Sequence, residues 1–294
     1  MAASDVREML PAERRARIVA ALRRHPAVRV ASLSEELGVS EITIRRDLLL
    51  LEQEGVLART YGGAMRRQQR TDEPGYQDNV LIHAAQKDRI AQAAAAMIEP
   101  RDTVFLGSGT TVAQMLRYID PKLAARVVTH SLAAAAEARG LSLEIVFLGG
   151  LYRPAIDAVE GTWALGMIEH FNADKAFLGA DCLDPRAGLT TPSLAVAAIE
   201  LAMIRRTRGE VAVLADSSKF GLVGAVVVCP LDQIDVVLVD DGIDSEACEL
   251  IRRAGPQCEV VEGHALRQTQ ALGTDARDRR PDQKRKPFPT TREQ

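Results

Sequence analysis

Residues that could bind a phosphate group or a sugar hydroxyl recur directly after apolar runs in the middle of the chain. Backbone N–H groups and hydroxyls suit phosphate, carboxylates suit sugar hydroxyls, and lysine supplies positive charge. Any one cluster is also ordinary loop chemistry, but clusters at five corresponding positions favour a site for a phosphorylated sugar or polyol. The candidate residues are Gly107, Ser108, Gly109, Thr110, Thr111, Thr129, His130, Ser131, Gly149, Gly150, Asp181, Thr190, Asp216 and Lys219.

The elements that would position these residues alternate between strands and helices. Strands are predicted for the short apolar runs Thr103–Leu106, Arg126–Thr129, Leu143–Leu148, Lys175–Leu178, Val211–Ala215 and Val236–Asp240. Helices are predicted over Ala84–Met97, Thr111–Ile119, Leu132–Arg139, Thr162–Phe171, Ser193–Arg206 and Ser245–Arg253. This alternation predicts an α/β domain with a mostly parallel sheet covered on both faces, and ligands bind such sheets beyond the carboxyl ends of the strands.

Two alternatives remain open for these side chains. Asp181, Asp216 and Lys219 could instead supply the acid and base groups of a sugar-phosphate isomerase. His130 could sense charge on a ligand, or it could simply hydrogen-bond a backbone carbonyl, which is the interpretation we favour.

The first quarter of the chain predicts a different kind of site. A helix is predicted over about Glu13–Arg24, and Ser32 is predicted to cap the next helix. Gly38 is placed where the chain must reverse with a positive φ. Ser40 is then predicted to cap a third helix, so the segment has the layout of a helix-turn-helix.

The third helix is predicted to bury one face and to present a cationic face to DNA. Ile44, Leu48 and Leu51 follow helical spacing, and the opposite face carries Arg45 and Arg46. Arginine can hydrogen-bond guanine or clamp a phosphate in the major groove, and a basic hairpin follows as a wing. The predicted DNA-binding residues are Ser32, Ser40, Glu41, Thr43, Arg45, Arg46, Arg59, Tyr61 and Gly62.

The charge of the 294-residue chain is unevenly distributed. Residues 1–70 hold 13 Lys and Arg against 9 Asp and Glu, whereas residues 71–266 hold 16 against 27. A basic head on an acidic body fits a DNA-binding domain joined to a body that does not wrap DNA, and it disfavours a nonspecific architectural DNA binder. We expect a winged helix-turn-helix at 11–66, a linker at 67–80, a sensor domain at 81–265 and a disordered tail at 266–294.

The remaining composition narrows the cellular context. The four cysteines Cys182, Cys229, Cys248 and Cys258 form no Cys-x-x-Cys pair, so we expect reduced structural thiols and no metal site. The chain has no apolar run long enough to span a membrane and begins without an apolar signal segment. We therefore expect a cytoplasmic protein without membrane association.

Ordered motifs at both ends of this layout resemble the DeoR family of bacterial transcriptional regulators. The head carries Leu-Gly-Val-Ser at 37–40, Thr-Ile-Arg-Arg-Asp-Leu at 43–48 and Tyr-Gly-Gly-Ala at 61–64. The body carries Asp-Lys-Ala-Phe-Leu-Gly-Ala-Asp at 174–181 and Ala-Asp-Ser-Ser-Lys-Phe-Gly at 215–221. The resemblance covers nearly the whole chain apart from about the first ten residues and the tail.

The resemblance implies a fold and a function. The family's sensor domain is similar to ribose-5-phosphate isomerase, and its members usually respond to phosphorylated sugars. We therefore expect a repressor of carbohydrate-metabolism genes that is not an enzyme, binds double-stranded operator DNA, needs no cofactor and forms a homodimer or homotetramer. His130, Glu160 and Cys182 depart from the residues usual in the family, which leaves the identity of the effector open.

Overall fold

The computed structural model of the chain describes residues 9–24, 27–53, 56–60, 62–66, 69–70 and 75–263. The predicted wing residue Tyr61, the predicted tail at 266–294 and part of the predicted linker lie outside the described residues.

The N-terminal domain is a winged helix-turn-helix, as predicted. Its elements are α1 (Pro11–Arg24), β1 (Ala27–Arg29), α2 (Val30–Leu37), α3 (Glu41–Gln53), β2 (Leu57–Thr60) and β3 (Gly63–Arg66). The three strands form one antiparallel sheet in the order β1-β3-β2. We call residues 9–66 the head.

The core of the head follows the predicted helical spacing. Ile44, Leu48 and Leu51 of α3 are buried against α1 and α2. Gly38 ends α2 with φ 65°, a left-handed conformation that glycine adopts without the steric cost of a side chain. The two helices of the motif are thus fixed by a continuous apolar stripe and one turn residue.

The predicted cap at Ser32 is wrong, because α2 begins two residues earlier, at Val30. Arg29 occupies the cap position with extended backbone and makes no side-chain capping hydrogen bond. The N–H of Val30 instead donates to the carbonyl of Gly62 at 2.7 Å. The wing therefore satisfies this helix terminus, and Ser32 lies exposed within the helix.

The second domain is α/β, as predicted. Its helices are α4 (Tyr76–Val80), α5 (Ala84–Ala95), α6 (Thr110–Met115), α7 (Leu132–Glu137), α8 (Thr162–Ile168), α9 (Leu194–Arg206) and α10 (Ser245–Ala254). Its strands, with β4 from the segment before it, are β4 (Gln69–Arg70), β5 (Thr103–Leu106), β6 (Arg126–Thr129), β7 (Glu144–Phe147), β8 (Leu151–Arg153), β9 (Ala158–Glu160), β10 (Ala173–Gly179), β11 (Cys182–Asp184), β12 (Gly188–Thr191), β13 (Thr207–Ala215), β14 (Val223–Gly224), β15 (Val226–Cys229), β16 (Val236–Asp240) and β17 (Gln257–Val261). Short 3-10 helices lie at Leu116–Tyr118, Pro121–Leu123, Ser217–Lys219 and Leu231–Gln233.

Seven strands form a parallel sheet in the order β17-β16-β13-β10-β5-β6-β7. Six of them are the predicted strands. The edge strand β17 was not predicted, because its alternating polar residues lack the apolar run of a strand buried on both faces. One apolar cluster packs α5 and α6 against one face of the sheet, and a second packs α8, α9 and α10 against the other.

Smaller sheets extend this domain beyond the prediction. β11, β12 and β15 form an antiparallel sheet, and β8 and β9 form a hairpin. The predicted linker is also partly ordered: β4 pairs with β14 of the second domain, and α4 follows. The segment between the domains is therefore attached to the second domain at two described places.

The prediction of four reduced cysteines is wrong for one pair. Cys248 on α10 and Cys258 on β17 form a disulfide, with their Cα atoms 5.8 Å apart. Packing of α10 on β17 brings the two positions within the range that a disulfide spans, which sequence spacing does not show. Cys182 and Cys229 are buried thiols outside this disulfide.

Candidate functional site

A cavity of about 80 Å³ lies at the carboxyl edge of the parallel sheet. The loop after β5 and the ends of β10 and β13 form its floor, and α4, α5 and α9 form its walls. The lining residues are Tyr76, Asn79, Lys87, Ser108, Gly109, Thr110, Thr111, Ile156, Gly179, Ala180, Asp181, Val196, Glu200, Leu214, Asp216 and Lys219. This is the edge where ligands bind in parallel α/β sheets.

The floor combines small and hydroxyl-bearing residues. Ser108 and Gly109 lie in the turn between β5 and α6, and Thr110 begins α6. A side chain at Gly179 would place its Cβ 2.8 Å from the carbonyl oxygen of Ser108, so only glycine allows β10 to approach this loop. The same loop residues line the cavity.

Two lysines and a carboxylate cluster on one side of the cavity, which we call the cationic end (Lys87, Asp216 and Lys219). The Nζ of Lys219 lies 3.9 Å from the Asp216 carboxylate. Lys87 is buried, and its Nζ donates to the carbonyl of Asn79 at 2.5 Å. Burial lowers the pKa of Lys87, the charge of Asp216 opposes that shift, and the charge of Lys219 adds to it. A phosphate bound here would offset the repulsion between the two lysines.

A pair of acidic groups, which we call the acidic end (Asp181 and Glu200), also lines the cavity. Asp181 accepts a hydrogen bond from Oγ1 of Thr191 at 2.8 Å. Burial raises the pKa of Glu200 well above its usual value, and the charge of Asp181 raises it further. Tyr76 stands in the wall with its pKa raised to about 12, chiefly by burial, so its hydroxyl is a neutral hydrogen-bond donor.

Seven of the predicted effector residues line this cavity: Ser108, Gly109, Thr110, Thr111, Asp181, Asp216 and Lys219. The other seven do not: Gly107, Thr129, His130, Ser131, Gly149, Gly150 and Thr190. We call these seven the framework residues.

Several of these framework residues make contacts of their own. Oγ1 of Thr129 donates to the carbonyl of Leu106, and Ser131 caps α7. The Nδ1 of His130 lies 2.8 Å from the carbonyl of Val159, which confirms the backbone hydrogen bond that we favoured. Burial lowers the pKa of His130 to about 4, so the imidazole is neutral at pH 7.

Sequence reasoning missed the residues that helices contribute to the walls. Lys87 lies on the buried stripe of α5 with Ile90 and Ala94, and Glu200 lies on the buried stripe of α9 with Met203. A charged residue at an apolar position of a helix is a signal that could have been found, because lysine and glutamate are seldom fully buried unless they are paired. Tyr76 and Asn79 were assigned to the linker.

Helix α3, which we call the reading helix because the sequence predicts that it reads DNA, exposes most of its predicted residues. Ser40 caps α3 by accepting from the N–H of Thr43 at 3.3 Å, as predicted. Arg45 pairs with Glu41 at 3.1 Å, and both side chains are about half exposed. Arg46 is exposed on the same helix. Such an exposed pair is weak, so the arginines of this face can exchange their contacts for DNA.

The predicted wing residue Arg59 lies in a more enclosed place than the arginines of α3. The backbone N–H of Arg59 donates to the Glu52 carboxylate at 3.2 Å, and its guanidinium lies 4.0 Å from the same group. Gly62 is exposed in the turn between β2 and β3. Arg186 of the second domain also donates to the carbonyl of Glu52, at 2.7 Å. Glu52 therefore links the wing, the reading helix and the second domain.

Comparison with known proteins decides the family. The DeoR-like helix-turn-helix domain matches residues 14–70, and the DeoR C terminal sensor domain matches residues 82–241. The chain belongs to the DeoR family of transcriptional regulators. It is 34% identical over 257 residues to the HTH-type transcriptional regulator GlpR of Haloferax volcanii, covering 87% of this chain and 100% of that protein. It is 29% identical over 240 residues to YgbI of Escherichia coli, an uncharacterized HTH-type transcriptional regulator, covering 81% and 93%.

Solved structures similar to part of the chain include ribose 5-phosphate isomerase A from Methanocaldococcus jannaschii. The identity is 21%, the match covers 46% of this chain and 53% of that one, and the TM-score is 0.34. Among the described residues no helix is long and apolar enough to cross a membrane, and no three His, Cys, Asp or Glu side chains are grouped to hold a metal ion. The family membership makes this chain a DNA-binding regulator, and its second domain carries the cavity described above.

Proposed function

We propose that this regulator represses carbohydrate-metabolism genes and releases its operator when a phosphorylated sugar or polyol binds the cavity. The observation that carries the proposal is the pairing of Lys87 and Lys219 with a hydroxyl-rich loop at the carboxyl edge of the sheet. Repression is the direction that the family resemblance implies.

The cavity chemistry supports a phosphorylated ligand. The phosphate group would lie between the Ser108–Thr111 loop and Lys219, where hydroxyls, N–H groups and positive charge converge. Asp181 would accept hydrogen bonds from sugar hydroxyls. The predicted residues outside the cavity remain effector predictions, and they would act by positioning the residues that line it.

The exposed face of α3 supports DNA reading in the major groove. Arg45 and Arg46 would contact bases or phosphates, with Glu41 and Thr43 beside them. Ile42 is 79% exposed, and an apolar side chain at this position suits the methyl group of thymine. The complete proposed set is Ser32, Ser40, Glu41, Thr43, Arg45, Arg46, Arg59, Tyr61 and Gly62, of which Tyr61 lies outside the described residues.

The segment between the domains supports coupling of the two sites. Tyr76 and Asn79 of α4 line the cavity, and β4 pairs with β14, which follows the Lys219 loop by only a few residues. A ligand that contacts Lys219 and Tyr76 would favour one position of this segment. Binding would thereby shift the population of head positions that fit the operator.

We also propose a homodimer or homotetramer. A single head offers one reading helix, and regulators of this kind use two heads spaced to match two half-sites. Trp163 is 80% exposed, Leu194 is 74% exposed and Leu151 is 66% exposed on the second domain. These exposed apolar side chains would be available for a contact between copies of the chain.

A thermal-shift screen of the purified full chain tests the effector. The panel contains phosphorylated sugars and polyols with their unphosphorylated parents. A ligand at 100 times its dissociation constant stabilises the fold by about 2.7 kcal/mol, which raises Tm by at least about 5 °C. Stabilisation by a phosphorylated compound, and not by its parent, is the expected result. Two results would contradict the proposal. The unphosphorylated parents could stabilise the fold as much as the phosphorylated compounds do, or no compound of the panel could stabilise it.

A further inference from the structure

Arg186 of the second domain contacts the end of the reading helix. Its Nη1 donates to the backbone carbonyl of Glu52 at 2.7 Å, and its Nη2 lies 3.9 Å from the Glu52 carboxylate. Glu52 lies in the last turn of α3, where a helix cannot satisfy its own carbonyls and where its dipole favours a cation. The partly exposed ion pair is weak, so the contact rests mainly on the hydrogen bond to the carbonyl.

The turn that carries Arg186 is held by its own hydrogen bonds. Arg186 lies at the tip of the hairpin formed by β11 and β12. The buried Asp184 carboxylate accepts from the backbone N–H groups of Arg186 and Ala187, both at 2.9 Å. Because both donors are backbone groups, the turn keeps these bonds when the Arg186 side chain is removed.

The base of the same hairpin lies at the cavity of the second domain. Asp181, which lines that cavity, comes directly before β11 and accepts a hydrogen bond from Thr191 of β12. The loop that carries Lys219 is joined to β11, because the N–H of Gly221 donates to the carbonyl of Leu183 at 2.8 Å. One hairpin therefore runs from the proposed effector site to the reading helix.

The same arrangement of the domains places a carboxylate beside the DNA-binding surface. A space of about 260 Å³ lies between the head and α10, and it is lined by Arg45 and Arg59 of the head and by Glu246 of α10. A helix in the major groove is flanked by DNA phosphates, so bound DNA needs the space beside the two arginines. Glu246 lines that space, and its negative charge repels phosphate.

We propose that this is a closed position of the head that does not bind the operator, and that Arg186 holds the head there. The inference rests on the proposed function, in which α3 reads DNA and the effector changes the position of the head. For α3 to enter the major groove, the head has to move away from α10, which breaks the contact between Arg186 and Glu52. A ligand that orders the base of the hairpin would favour the contact at its tip, and thereby release of the operator.

Fluorescence anisotropy in the absence of effector tests this inference. The full chain and its Arg186→Ala variant are titrated against labelled duplex DNA that the wild type selects from a random pool, at one salt concentration. Loss of an arginine ordinarily weakens DNA binding, because positive charge is removed. Arg186→Ala should instead tighten binding by about tenfold, since a chain held mostly in the closed position binds with reduced apparent affinity and one hydrogen bond from a charged group holds it there.

Arg126→Ala is the matched control. Arg126 is another half-exposed arginine paired with a glutamate, Glu144, but this pair lies within the second domain. Its removal takes away the same charge and should not tighten binding. Thermal unfolding of both variants confirms that they are folded at the temperature of the titration.

The outcomes separate this inference from the proposed function. Unchanged or weaker binding by Arg186→Ala, or an equal gain for Arg126→Ala, would overturn the closed position and leave the proposed function standing. Adding Arg45→Ala and Arg46→Ala to the Arg186→Ala chain should weaken binding again. If it does not, α3 does not read this DNA, and the proposed function fails together with the inference.

Discussion

The head and the cavity differ in how their functional residues are positioned. In the head, Gly38 and Ser40 act on their own chain neighbours, and the exposed arginines follow from the period of a single helix. In the cavity, Ser108 and Lys219 come from strand ends, whereas Lys87 and Glu200 enter from the interiors of helices far away in sequence. Positions set by local rules are predictable from sequence, and positions set by packing between distant segments are not.

The largest expected effect tests whether a contact between two helices distant in sequence also stabilises the head. Arg14 of α1 and Asp47 of α3 form a buried ion pair at 2.5 Å. Asp47→Ala leaves the arginine charge buried without its partner and should destabilise the head by about 3–5 kcal/mol. Urea unfolding followed by helical circular dichroism measures the loss.

Glu13→Ala is the control for this variant, because Glu13 forms an exposed pair with Arg17 on the same helix. It should change stability by less than about 1 kcal/mol. A loss that small for Asp47→Ala would show that the head is held by local interactions and its apolar stripe alone.

A pH titration tests the framework beside the cavity. His130 has a pKa of about 4 in the folded chain because it is buried, against an ordinary value of about 6.5. The unfolded chain therefore binds a proton that the folded chain does not, so the stability is complete above pH 6.5 and is lost as the pH falls toward 4. Between pH 7 and pH 5 the contribution of this group is about 2 kcal/mol.

Denaturant unfolding of the wild type and His130→Asn at the two pH values measures this contribution. Asparagine does not titrate, so the variant should lose about 2 kcal/mol less than the wild type on acidification. An identical loss in both proteins would show that His130 is solvated or charged in the folded chain.

The reading helix is tested by matched arginines. Arg46→Ala or Arg45→Ala should weaken operator binding by about 1–3 kcal/mol if the arginine reads a base. Arg17→Ala is the control, since Arg17 and Arg45 each form an exposed i, i+4 pair with a glutamate. Gel-shift titration at fixed salt compares them, and an equal loss for Arg17→Ala would remove the reading role from α3.

The smallest expected effect on stability comes from the two predicted helix caps, Ser40 and Ser32. Ser40→Ala should cost about 1 kcal/mol in stability without DNA, because it removes the acceptor for the N–H of Thr43. Ser32→Ala should change stability by less than about 0.5 kcal/mol, because Gly62 satisfies the start of α2. Equal losses by thermal unfolding would contradict this assignment of the caps.

Much of the fold was predictable, for a physical reason. Six parallel strands are apolar on both faces, so their sequences stand out, whereas β17 at the sheet edge is half polar. The strand ends led to Ser108, Asp181 and Lys219. The same rule also selected Thr129 and His130, whose side chains turn into the framework. Strand periodicity locates a loop, but the packing of the helices decides which side chains the cavity receives.

The most direct test of the account measures DNA release in one titration. The protein first selects its DNA from a random pool, and the selected DNA is labelled and bound to the full chain. The phosphorylated sugar that stabilises the fold is then added while the anisotropy of the DNA is recorded. We predict release of the DNA by the wild type, and retained DNA binding without release by Lys219→Ala. Release that is unchanged in Lys219→Ala would show that the effector does not act through this cavity, and absence of release in the wild type would contradict control of DNA binding by this ligand.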